Sequence, residues 1–189
     1  MRRLLFFGLA SLTTASLALA AGTPLNEHGI GNDCWAIRGE AQVYSPLTGV
    51  VPATGPGWLQ FRGRRIEGTF TASFELVGLP MMDFQSETLR QSSNGFEIYA
   101  FGENVIYARD VAVWSTSFYD QSHFDVYGAT LSGPFDLTTG WGSGAFQNAL
   151  LSIRFRGTID IFLDGSSSGQ FQIEDGTICN VDFSALETD

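Results

Sequence analysis

Lysine is missing from this chain of 189 residues, so its 10 basic residues are all arginines, set against 20 Asp and Glu. A formal charge of −10 at pH 7 repels phosphate backbones and anionic lipid, so no nucleic-acid partner is expected and acidic membranes are disfavoured. The missing lysine fits a bias toward Arg codons or a saline habitat and identifies no ligand. It does remove one reading of Gly142-Ser143-Gly144: a phosphate-cradling loop needs a Lys and a following helix, and neither is there. Histidine is almost as scarce. His28 and His123 stand far apart without clustered Cys, so no zinc-site spacing exists and no metal is expected. A Gly-x-Ser-x-Gly elbow is absent. The loop acids, among them Asp120, Asp125, Asp164 and Asp175, lack the spacing of a calcium motif and read as solvated surface charge. Nothing implies a cofactor.

Long apolar runs are also lacking, except at the start. Arg2 and Arg3 precede a mostly apolar stretch, Leu4 to Leu19, that ends in the small residues Ala18-Leu19-Ala20. That is the pattern of an export signal, with cleavage expected near Ala20 and a secreted or periplasmic destination. Ser11, Thr13, Thr14 and Ser16 interrupt the run, which makes a membrane anchor the poorer reading. Residues 21–33 then form a tail, 34–184 one domain with enough volume for a core, and 185–189 a short C-terminal tail.

Cysteine occurs twice, at Cys34 and Cys179. In an oxidising compartment an isolated pair is most simply one disulfide, here closing nearly the whole domain.

Helical periodicity is almost absent from the remainder, and period two is everywhere. Ala149, Leu151, Ile153, Phe155, Ile159 and Ile161 alternate with Leu150, Ser152, Arg154, Arg156, Thr158 and Asp160, as on a half-buried strand. Trp35 to Val43 and Ile66 to Leu76 alternate in the same way. Asn94-Gly95 and Asp175-Gly176 predict tight hairpin turns. Gly102-Glu103-Asn104 and Asp164-Gly165 mark two further reversals. About eight to ten strands result, which suits a single antiparallel β-barrel of about eight strands or, as the alternative, a β-sandwich. Two loops are expected. Ser45 to Gly57 carries three prolines that cannot serve a ladder. Gly78 to Ser93 opens with Leu79-Pro80-Met81-Met82-Asp83-Phe84, an apolar plug over one barrel end or a lid over a cavity.

Gly142-Ser143-Gly144-Ala145-Phe146-Gln147-Asn148-Ala149 resembles the Gly-Thr-Gly-x-Phe-x-x-Ala signature of the allene oxide cyclase and dirigent barrel families. Tyr127-Gly128-Ala129-Thr130-Leu131-Ser132-Gly133 is similar to the Tyr-x-Gly-x-x-Leu segment before that turn in dirigent proteins. The resemblance spans residues 127–161 and departs from the pattern at Leu150, where the families usually carry glycine. It implies an eight-stranded antiparallel barrel with an apolar cavity, Phe146 plugging one end and Ala149 starting an inward row. Family activities are cyclisation of a fatty-acid epoxide and steering of radical coupling, but no family active-site residue carries over to this chain.

Aromatic side chains are the remaining lead, since aromatic-lined pockets suit apolar or sugar ligands. Trp58, Trp114, Phe118 and Tyr119, with Met81 and Met82, are the candidate contacts for a small apolar molecule. Trp141 is a further aromatic beside the glycine turn. A cofactor-free cyclase or isomerase would need a polar side chain in the lumen, for which Arg62, Glu75 and Tyr107 are candidates by elimination. A carbohydrate-binding or structural envelope protein is the third class. Oligomeric state is not legible.

Overall fold

A computed structural model describes residues 33–132 and 142–187. The expected signal segment, the tail to residue 32, Trp141 and the last two residues lie outside these ranges. Among the described residues no helix is long and apolar enough to cross a membrane.

Alternation decides the architecture. Nine antiparallel strands follow one another: β1 (Cys34–Ser45), β2 (Ala53–Phe61), β3 (Arg64–Asp83), β4 (Thr88–Phe101), β5 (Asn104–Ser117), β6 (His123–Ser132), β7 (Gly142–Ser143), β8 (Leu150–Ile161) and β9 (Ser167–Cys179). Each pairs with its sequence neighbours, except that β6 pairs directly with β8 while the two-residue β7 pairs with β5. β4 pairs with β5 and β9 with β1, so eight strands close a ring. Around the ring, closure removes the free edges that an open sheet would expose to other chains, and β3 beyond Ala72 keeps one. The expected eight-stranded antiparallel barrel is what forms.

The inward rows are the ones the alternation picks out. On β8, Leu151, Ile153, Phe155 and Ile159 are buried while Leu150, Ser152, Arg154 and Arg156 face water. The seam between first and last strands is stapled, because Cys34 and Cys179 are direct partners across β1 and β9 and share a disulfide with S–S 2.05 Å.

One end of the barrel is sealed. A short 3-10 turn, Gly144–Phe146, drives Phe146 into the interior at 0% exposure, against Phe61 and Phe101. Ala149, also fully buried, follows before β8 begins. A C-terminal 3-10 turn, Ala185–Glu187, closes over the same end: Phe183 meets Trp35 and Phe61, and Asp182 N–H donates to the Ala145 carbonyl. The glycine motif and the C-terminal segment together make a floor.

Several expectations change. Asn94-Gly95 and Asp175-Gly176 are not turns; they lie inside β4 and β9, the first in an unbroken ladder and the second beside a bulge in the pairing with β8. Glycine is needed there for space, since a Cβ at Gly176 would lie 2.5 Å from Ile153 Cγ2 and 2.8 Å from the Ser152 carbonyl oxygen. The proline-rich loop is shorter than expected, because β2 starts at Ala53 and takes in Pro56. The segment Gly78 to Ser93 is not a loop. β3 continues to Asp83 and β4 begins at Thr88, with a bulge between Val77 and Met81 that absorbs Gly78-Leu79-Pro80. Gly78 takes φ 73° there, which glycine adopts without the penalty of a side chain. Beyond Ala72, β3 has only β4 as a strand neighbour, so its tip stands out as an arm. Leu79 and Phe84 are 89% and 77% exposed on it, so the segment neither plugs the barrel nor covers it.

Candidate functional site

The interior opposite the floor is where polar chemistry enters the core. Inward positions of β4 read Ser93, Gly95, Glu97, Tyr99 and Phe101; those of β5 read Ala108, Asp110, Ala112 and Trp114. Two carboxylates thus point into the barrel from adjacent strands. Glu97 is buried, and its Oε2 accepts from the Tyr99 hydroxyl at 2.6 Å and from Thr130 Oγ1 of β6 at 3.0 Å. The Asp110 side chain lies over Gly95, with Oδ1 2.2 Å from where a Cβ would sit. Nearby, Trp114 Nε1 donates to Ser93 Oγ at 2.8 Å, and the indole packs on Phe74 with ring centroids 4.3 Å apart.

Burying an unpaired carboxylate costs several kcal/mol, roughly, unless it takes up a proton or finds donors. Burial pushes Glu97 up to about 8; the Asp110 charge adds to the rise, and the two hydroxyl donors oppose it. Burial raises Asp110 as well, to about 6, against its own backbone hydrogen bond. Tyr99 is raised well above 10 by burial and by Glu97, so it stays a donor. Near neutral pH burial therefore favours a proton retained by the pair over ionisation of both acids.

A cavity of about 60 Å³ adjoins the pair, walled by Val43, Phe70, Phe74, Trp114, Phe155 and Phe171 among others. A smaller hollow of about 30 Å³ lies on the floor side of Glu97, with Tyr99, Phe101 and Ile153. Among the described residues no basic side chain lines either one. The roof of the larger cavity is the β1–β2 loop, through Thr48, Gly49, Val50 and Val51. Its fastening is polar: Thr48 donates to the Gly165 carbonyl through both N–H (2.9 Å) and Oγ1 (3.0 Å), and Ser45 Oγ donates to the Val51 carbonyl at 2.7 Å. The proline-rich loop, not the methionine-rich segment, covers the lumen.

A larger hollow, about 950 Å³, lies on the outer face and carries Arg90, Asp125, Tyr127, Arg156 and Glu174. Its charges are hydrated and partly paired, as in Arg156–Glu174 at 3.2 Å with a two-thirds exposed arginine. Charge costs little on such a surface. The lumen pair is the more demanding arrangement and hence the stronger candidate site.

Of the six aromatic and methionine candidates, the structure places Trp114 at the larger cavity and Trp58 at the smaller hollow. Trp58 lies half-buried on β2 beneath the Arg65 guanidinium, 4.3 Å from its ring centroid. Phe118 packs against Phe84 near the arm, Tyr119 is 80% exposed, and Met81 and Met82 are exposed on β3. The polar candidates fare no better. Arg62 sits in the β2–β3 turn at φ 51° over Trp35 and Phe183, Glu75 is exposed, and Tyr107 has the outward parity of β5. Glu97, Asp110, Tyr99 and Thr130 escaped the sequence reading, although parity marks them. Glu97 shares its side of the strand with Tyr99 and Phe101, and Asp110 shares its side with Ala108, Ala112 and Trp114.

No family model, curated protein or solved structure matches the chain. The functional reading is therefore built on the geometry of the lumen.

Proposed function

We propose that this barrel is an exported binder of a small, mainly apolar molecule, held in the lumen between the aromatic wall and the Glu97–Asp110 pair. One observation carries the reading: a cavity with aromatic walls is lined by two carboxylates from adjacent strands, Glu97 and Asp110. A buried acid pair is costly, and a ligand that uses it offsets the cost. The volume of about 60 Å³ under the closed roof suits a ligand of few atoms, and a larger one requires the 46–52 loop to lift. Export is supported by the leader pattern over residues 1–20 and by a disulfide that an oxidising compartment would maintain.

The test is native mass spectrometry of gently purified protein, followed by titration with a small environment-sensitive apolar dye. Co-purified mass, or dye uptake that Ala112→Leu abolishes while the melting temperature holds, supports the reading. An empty protein that ignores the dye counts against it.

A second reading draws on the same pair. Two buried acids that retain one proton between them offer a general acid next to a general base, as a cofactor-free isomerase or cyclase of the type implied by the glycine-turn resemblance would require. Solvent-deuterium incorporation into a bound ligand, lost in Asp110→Asn, would favour catalysis over storage.

A further inference from the structure

Resting on the lumen reading, we propose that the ligand is a small apolar amine, bound as its ammonium form with the nitrogen against Glu97 and Asp110. The argument is one of charge and shape. Both hollows that share Glu97 contain carboxylate, hydroxyl and aromatic groups and no arginine or histidine. An anionic ligand would meet two acids with no compensating cation. A wholly neutral one would leave the acids uncompensated, and the same space could be walled by leucines.

An ammonium answers each feature. It supplies the positive charge and several N–H donors that the pair lacks, and the described donors to Glu97 are hydroxyls that both reach Oε2. Charge-assisted hydrogen bonds of this kind are about twice as strong as neutral ones. Trp114, Phe70 and Phe74 line the same space, and aromatic faces attract ammonium groups through their quadrupoles. A bare metal ion is a poorer occupant, since among the described residues no group of three His, Cys, Asp or Glu gathers.

The inference carries a proton balance. Among the described residues, Glu97 and Tyr99 of β4 and Asp110 of β5 are the inward titratable side chains at this space; the exposed Glu40 of β1 adds a carboxylate at the smaller hollow, and β2, β3, β6, β8 and β9 contribute only neutral side chains. An ammonium that stabilises both carboxylates as anions displaces the proton retained by the pair, which passes to solvent. Uptake should strengthen as pH rises from about 5 to about 8, as the pair ionises.

The experiment is isothermal titration calorimetry of the full protein with isobutylamine, isobutanol and isobutyrate, which share one carbon skeleton. The expected result is amine binding roughly tenfold tighter than alcohol binding, with no uptake of isobutyrate. Binding enthalpies that vary with the buffer's ionisation heat would show release of a proton. Asp110→Asn and Glu97→Gln, each checked by melting temperature, should bring amine and alcohol level; if one variant does not fold, the other and the buffer dependence in the unmodified protein decide. Equal affinity for amine and alcohol, or a preference that survives both substitutions, overturns the ammonium assignment. If the apolar dye still enters in that case, the lumen reading stands without it. Failure of the dye and all three probes sinks both.

Discussion

Gly95 and Asp110 are direct partners across β4 and β5, and the Asp110 carboxylate occupies the space that a side chain at residue 95 would need. A Cβ there would lie 2.2 Å from Asp110 Oδ1 and 2.4 Å from the Ser73 carbonyl oxygen. Gly95→Ala should therefore destabilise by about 1–3 kcal/mol, through forced displacement of packed groups. Urea denaturation checks it, and an unchanged midpoint would mean that the carboxylate lies elsewhere.

Stability should depend on pH through Glu97. Its folded value, about 8, lies above the ordinary 4.5, so the folded state holds a proton that the unfolded chain has released. Stability contributed by that proton is full below about pH 4.5 and is lost as pH rises through about 8. The melting temperature should fall by several degrees between about pH 6 and about pH 9, and Glu97→Gln should flatten that part of the profile. A profile that the substitution leaves unaltered would remove Glu97 as its cause.

Reduction of the Cys34–Cys179 bond should lower the melting temperature by several degrees. The cystine bridges a sequence separation of 145 residues, and loops of that order are worth roughly 4–5 kcal/mol in the chain-entropy treatment. Thermal scans with and without reductant give the answer directly.

Phe146→Ala should cost about 3–5 kcal/mol, because the ring is wholly enclosed at the floor and its loss leaves a void. Loss of this size, read by denaturant midpoint, separates a structural plug from a surface turn.

Strand identity and inward rows were legible because alternation is a local property of the chain. Ring closure through β9 and β1 was suggested by strand count and fixed by tertiary pairing. Asn94-Gly95 misled for a physical reason: the dipeptide favours a turn, yet here the glycine answers a neighbour's bulk across the ladder, which no local signal encodes. Met81 and Met82 were drawn toward the lumen by composition, whereas the bulge after Val77 carries them out along the arm. Glu97 and Asp110 were overlooked because acids are presumed to face water, although both stand at inward parity. An inward acid in an otherwise apolar row is the signal to look for.

The seam between β1 and β9 also dictates an order of events during synthesis. The closing neighbour of β1 is β9, the last of the described strands, so contacts of the greatest sequence separation form only once β9 has emerged. Until then β1 and β8 each present a naked backbone edge, open to strands from other molecules. A nascent or truncated chain lacking residues 167–179 is thus a sticky intermediate, vulnerable for as long as β9 is absent.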